Sequence, residues 1–326
     1  MSELHTFLFD GEPVRGMLVR LTDSWQEVLA RRVAAGSPFP EPVRALLGQM
    51  AAAAVLMQAN IRFNGALILQ LHGDGPVKLA VAEVQPSLGF RVTATVLGEV
   101  PAEARFEAML NLHGRGRCAI TLDPQDRLAG RQPYQGVVPL HDDAGRPLQN
   151  LAGVLEHYML QSEQLDTRLV LAANDQLAAG LLIQRLPGAG TGNLGVGAGT
   201  RNEDEIGLNE SYNRIAHLGA TLTATELLTL DASTLLRRLF WEEKLLRFEP
   251  RSGDEGPRFA CTCSRERVGN MLKSLGRAEV DDIVAEQGRV EVACEFCGMK
   301  AHFDPVDVGE LFTPVRDQAR GTSTLN

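Results

Sequence analysis

No uncharged apolar run in the sequence approaches the ~20 residues that a membrane-spanning helix needs. The longest candidate, "AAAAVLMQANI", stops at Arg62. The start, "MSELHTFLFDGEPVRG", lacks the basic stretch followed by an apolar one that marks a secretory signal. Both absences point to a soluble, cytoplasmic protein with no membrane partner. An excess of positive charge is missing as well: 32 Lys+Arg stand against 41 Asp+Glu, for a formal net charge of −9. That balance opposes nonspecific attraction to nucleic-acid phosphates or anionic lipid. Cysteine is scarce, at five residues in 326. In a reducing compartment, cysteines that cluster point to metal binding or redox chemistry rather than to permanent disulfides.

A catalytic constellation is also lacking. None of the seven histidines lies beside a Ser or Cys in a triad-like motif. The segment "GAGTGNLGVGAGTRNEDE" contains Gly190-x-Gly192-x-x-Gly195, formally a dinucleotide fingerprint. A working fingerprint leads straight into a helix whose N-terminus holds the pyrophosphate. Here more glycines and an acidic run follow, so the segment reads as a mobile loop with no nucleotide bound. Cys118, in "RGRCAITLD", reads as a buried strand thiol rather than a nucleophile.

What is present reads as α+β. Hydrophobic content of 44% and charged content of 22% are those of a folding, globular chain. "DSWQEVLARRVAAG" places Trp25, Val28, Leu29 and Val33 on one helical face, with Asp23 as N-cap and Gly36 as stop. "PVRALLGQMAAAAVLMQ" predicts a buried helix. "GALILQLHGDGPVKLAVAEV" predicts a hairpin about Gly73–Pro76, and "FRVTATVL", "RCAITLD" and "YQGVVPL" continue the strand pattern. "LAGVLEHYMLQSEQ" returns to helix before strands in "TRLVLAAND" and "LAAGLLIQRL". Strands grouped together with helices around them predict a mainly antiparallel α+β domain over 1–187. A linker over 188–257 follows. Within it Thr223 and Glu226 have capping-box spacing, Asp231 is a second N-cap, and Leu235, Leu236, Leu239 and Phe240 form an apolar stripe. Such short helices need docking to persist. "RSGDEGPR" reads as a connector to a small C-terminal unit, 258–326.

That unit holds Cys261-x-Cys263 and Cys294-x-x-Cys297. Two thiols one residue apart can share a metal, form a strained disulfide, or do nothing together. The second pair and the intervening residues favour a metal. Thiolates are the soft ligands zinc prefers, and two pairs complete a tetrahedron. "SRERVGNMLKSL" predicts a helix behind Ser264, with Val268, Met271, Leu272 and Leu275 in phase, and "EVDDIVAEQG" a second. "RVEVACEFCGMKAHFD" predicts a hairpin with Cys297-Gly298 at its turn. His302 is a spare donor that a four-cysteine shell does not need. Four thiolates leave no open coordination position, which argues against a zinc hydrolase or deaminase, and against an enzyme altogether. A nucleic-acid-binding zinc module remains the alternative, weakened by nine basic against eleven acidic residues over 258–326.

Several stretches carry a resemblance over nearly the whole length: "HTFLFDGEPVRG", "LQLHGDGPVKLAV", "YQGVVPL", "YMLQSEQLDTRLVL", "ATELLTL", and most specifically "CTCSRER" with "AEVDDIVAEQGRVEVACEFCG". The chain resembles the bacterial 33-kilodalton chaperonin family, redox-regulated heat-shock holdases. The resemblance implies an ATP-independent chaperone whose Cys261, Cys263, Cys294 and Cys297 are both zinc ligands and redox switch. It implies an inactive, zinc-bound monomer when reduced. It further implies that peroxide or hypochlorous acid, with unfolding stress, forms disulfides and expels the metal, that the linker opens, and that a dimer then holds unfolding clients. Once the metal-organised fold is gone, neighbours in sequence meet most often, so Cys261–Cys263 and Cys294–Cys297 are the expected bonds.

Overall fold

The computed structural model describes residues 1–125, 133–186, 207 and 209–313. The glycine-rich segment from 188 to 205 therefore lies outside the described residues. The chain divides into two units, Met1–Ala260 and Cys261–Asn326.

The first unit opens with a hairpin of β1 (Glu3–Phe9) and β2 (Val14–Leu21), then α1 (Asp23–Ala34) and α2 (Glu41–Asn60). Next come β3 (Gly65–His72), β4 (Val77–Val84), β5 (Gly89–Val96), α3 (Phe106–Leu110), β6 (Arg117–Pro124) and β7 (Tyr134–Pro139). After α4 (Leu151–Glu163), β8 (Thr167–Ala173) and β9 (Ala178–Arg185) come three helices, α5 (Glu210–Ala220), α6 (Ala224–Thr229) and α7 (Ala232–Leu239). Three short strands, β10 (Leu245–Arg247), β11 (Arg251–Ser252) and β12 (Arg258–Phe259), close the unit.

The strands form two six-stranded sheets, one ordered β10-β1-β2-β9-β8 with β11 also on β1, the other β12-β5-β4-β3-β6-β7. Among the described residues only the β12–β5 pair is parallel, so the expected α+β class with mainly antiparallel pairing is what the structure has. Helix α2 packs on strands of both sheets. It is apolar all round, as a helix between two layers must be, and the small residues Ala51–Ala54 are fully buried in the shared core. α1 turns Trp25 and Val28 inward but leaves Val33 64% exposed. Trp25 Nε1 donates to the Asn174 carbonyl at 2.7 Å, which satisfies the indole inside the core.

The first sheet is buried on both faces. On β2, Met17, Val19 and Leu21 enter the α2 core, while Val14 and Leu18 point into a second core with Phe7, Phe9, Leu181 and Ile183. Gly16 shares that second face, where a Cβ would meet the Phe7 ring at 2.1 Å. Helices α5–α7 cover this face with Tyr212, Ile215, Leu227, Leu235, Leu236, Leu239 and Phe240. Phe240 completes an aromatic cluster, its ring centroid 5.0 Å from that of Phe9 and 6.2 Å from that of Phe7. Thr223 and Glu226 form the expected capping box, and Asp231 caps α7 by accepting from the Thr234 amide. The expected connector "RSGDEGPR" is tied down: β11 pairs with β1, and β12 pairs with β5.

The second unit contains α8 (Arg265–Leu275), α9 (Arg277–Gln287), the hairpin β13 (Val290–Ala293) and β14 (Lys300–Phe303), and α10 (Pro305–Phe312). Its fully enclosed apolar core is small: Leu272, Val280, Val290, Ala301, Phe303 and Val308. Met271 and Leu275, in phase with Leu272 by sequence, are exposed. A unit with so little buried apolar surface needs a further source of stability.

Candidate metal centre

Two local structures present the cysteines. Cys261 and Cys263 lie just ahead of α8, whose N-cap, Ser264, accepts the Arg267 amide at 3.1 Å. Arg267 then turns its guanidinium back, and Nη1 donates to the Thr262 carbonyl at 2.9 Å, fixing the residue between the two thiols. On the other side, register pairs Val290 with Phe303 through Ala293 with Lys300, so Cys294–Met299 must turn the chain. The Cys294 amide donates to the Met299 carbonyl at 2.9 Å, and the Gly298 amide to the Cys294 carbonyl at 2.8 Å. Gly298 has φ +70, a left-handed conformation that favours glycine and lets both cysteines face one point.

The four sulfurs meet. Cys261 Sγ lies 3.2 Å from Cys263 Sγ and 3.7 Å from Cys294 Sγ, and Cys263 Sγ lies 3.3 Å from Cys297 Sγ. All four fall within 4.8 Å of one another. A tetrahedron of thiolates with bonds of ~2.3 Å has edges of about 3.8 Å, so the set is the right size to hold a metal ion. Cys297 is buried and the others half-buried. His302 stays outside the cluster, with its Nδ1 3.3 Å from a Glu291 carboxylate oxygen.

The thiols share their protons unequally. At Cys261, burial pushes the thiol up, but hydrogen bonds from the Cys263 backbone and from the Cys263, Cys297 and Cys294 thiols outweigh it and bring it to about 7. Burial and the neighbouring Cys261 push Cys263 up, and burial also raises Cys297. Thiolates this close repel one another, so several of them together are costly without a cation.

Of the cations near the motif, two are already engaged. Arg265 stacks 4.2 Å over the Phe303 ring and pairs with Asp307 at 2.6 Å, and Lys300 pairs with Glu291 at 2.7 Å. Arg267 instead bonds the Thr262 carbonyl between the first two cysteines. Sequence offered a signal for it, a helix N-terminus directly after the first cysteine pair, but the fold is needed to show the side chain folding back.

Cys118 is far from this chemistry in character. It lies on β6, wholly buried, and burial pushes its thiol up to about 12. In native protein at neutral pH it should resist iodoacetamide and peroxide, and it should label only when the first unit unfolds. Peptide mass spectrometry of pulsed alkylation checks this; rapid native labelling would contradict it.

A family model described as Hsp33 protein matches residues 2–304. The chain belongs to the Hsp33 family. The chain is 44% identical over 311 residues to the 33 kDa chaperonin of Chromobacterium violaceum, covering 95% of this chain and 94% of that one. With the 33 kDa chaperonin of Methylobacillus flagellatus the identity is 40% over 313 residues, covering 96% and 94%. Among solved structures, the fold matches the crystal structure of the 33 kDa chaperonin (heat shock protein 33 homolog) of Thermotoga maritima. That match has a TM-score of 0.70 at 20% identity and covers 95% of this chain and 97% of that one. The Hsp33 family is one of heat-shock chaperones. Among the described residues, no helix is long and apolar enough to cross a membrane.

Proposed function

We propose that the protein is an ATP-independent holdase, a cytoplasmic chaperone without enzymatic activity, gated by the redox state of Cys261, Cys263, Cys294 and Cys297. The observation that carries this reading is the convergence of those four sulfurs within 4.8 Å in a unit with a small core, in a chain of the Hsp33 family. Zinc, the metal that four thiolates suit, would supply roughly 10–16 kcal/mol of folding free energy to such a unit. In the reduced state Cys261–Cys263 and Cys294–Cys297 act as two chelating pairs on 258–326, and the segment 188–257 stays docked in a monomer.

Oxidation converts donors into non-donors. In each pair two thiolates and two protons reduce one hydrogen peroxide to two waters, two electrons leave the sulfurs, and one S–S bond forms. Two peroxides therefore consume all four ligands. The second unit then lacks the stability its own core cannot provide, and the docked segment is released. The freed surface binds unfolding proteins and supports a dimer. A ring closed across Cys261-Thr262-Cys263 is tight and strained, so a reductant reopens it readily.

The test measures zinc, free thiols and suppression of aggregation of a denatured test protein, before and after peroxide. Two peroxide equivalents should remove four thiols and the metal, and holding should appear in step. Peptide mapping should find Cys261–Cys263 and Cys294–Cys297. Chiefly Cys118 disulfides would contradict the switch, as would salt-sensitive RNA or DNA binding with no gain in holding.

A further inference from the structure

We infer that Arg20 is the latch that holds α6 and α7 in register on the first sheet, a positioning residue for the gate proposed above. The inference rests on that reading only for its functional consequence. On β2 the alternation that turns Val14, Gly16 and Leu18 towards α5–α7 also turns Arg20 that way. Its side chain is only 13% exposed. From there Nη1 donates to two carbonyls at the end of α6, Leu230 O at 2.6 Å and Leu227 O at 2.9 Å. These are groups that a helix leaves without internal partners at its C-terminus. Glu3 stands 4.0 Å from Nε, and the α7 N-cap Asp231 adds its field.

The apolar contacts around this bond do not specify one position. α7 presents Leu235, Leu236 and Leu239 to a face of phenylalanines, leucines and isoleucine, on which a short helix can shift with small loss. A charged donor aimed at two carbonyls has one good position. The bond also differs between states in a way that apolar packing of the sheet itself does not. With α6 docked, Arg20 is largely dehydrated and its Nη1 is bonded to both carbonyls. With α6 released, Arg20 and the two carbonyls meet water and need no partner. Its contribution therefore falls on the opening equilibrium, not on the sheet, which keeps its β1–β2 and β2–β9 ladders in both states.

The experiment is hydrogen exchange by mass spectrometry on the full-length, reduced, zinc-loaded protein as wild type, Arg20→Met and Arg20→Lys. Methionine keeps bulk against the sheet but leaves both carbonyls without a donor. Amides of 224–240 should lose protection about 10- to 100-fold, as expected for removing charged hydrogen bonds, while β2, β9 and 261–313 are unchanged. Lysine, which can still donate to a carbonyl, should restore part of the protection. Unchanged protection over 224–240 in Arg20→Met would overturn the inference, as would an equal loss across β2 and β9. If 224–240 opens in Arg20→Met and the reduced protein still holds no clients, the latch stands and the gate reading under Proposed function falls.

Discussion

Replacing Cys263 with serine should strip the second unit of its metal and of most of its resistance to proteolysis. The reason is the imbalance between what holds that unit and how small its core is. Six buried apolar residues, Leu272, Val280, Val290, Ala301, Phe303 and Val308, form its centre. Such a core supplies a few kcal/mol at best, against roughly 10–16 kcal/mol for a structural zinc site. Cys263 bridges the two halves, with its sulfur 3.2 Å from Cys261 Sγ and 3.3 Å from Cys297 Sγ. A serine hydroxyl is a hard, neutral donor at neutral pH and cannot replace the thiolate. Metal analysis should show a large fall in zinc per chain, and limited proteolysis should cut 261–313 while the first unit, with its separate core, survives. Full occupancy with an intact second unit would remove the four-thiolate assignment.

Sequence patterns marked the four-cysteine cluster more completely than they marked the fold. The cysteine spacing, the Ser264 cap and the Gly298 turn are all local features, decided by residues a few positions apart, and each forms as expected. The same holds for the β3–β4 hairpin, the buried α2 and the caps at Thr223 and Asp231. Features built from distant pairs were not legible. β1 and β2 are buried on both faces, so "ELHTFLF" and "VRGMLVRL" show no clean polar alternation that would mark a strand. Nor does any periodicity reveal that β10 and β11 pair with β1, or that the strands split into two sheets around α2. The Arg20 contacts join residues 207 and 210 positions apart in the chain. A single arginine in a strand carries no sign of it.

The apolar stripe on α7 was legible, and it carries the second large prediction: Leu236→Glu should hold clients while still reduced and still loaded with zinc. Leu236 is 1% exposed, among Phe7, Phe9, Leu18 and Ile183. Its neighbours in that cluster are apolar. Burying a carboxylate among them, together with the lost leucine packing, costs several kcal/mol. An eight-residue helix has little stability of its own to set against that, so the docked arrangement gives way locally while β1, β2 and β9 remain paired. The matched control is Glu242→Gln on the exposed side; Glu243 does not serve, because it pairs with Arg214, which also bonds Glu12. In aggregation assays with a denatured test protein, reduced Leu236→Glu should suppress aggregation and reduced Glu242→Gln should not. Thermolysin should cut 223–246 in the first and spare it in the second, with equal zinc in both. A Leu236→Glu protein that is folded, metal-loaded and cut within 223–246, yet unable to hold clients, would show that release of α7 is not the gate.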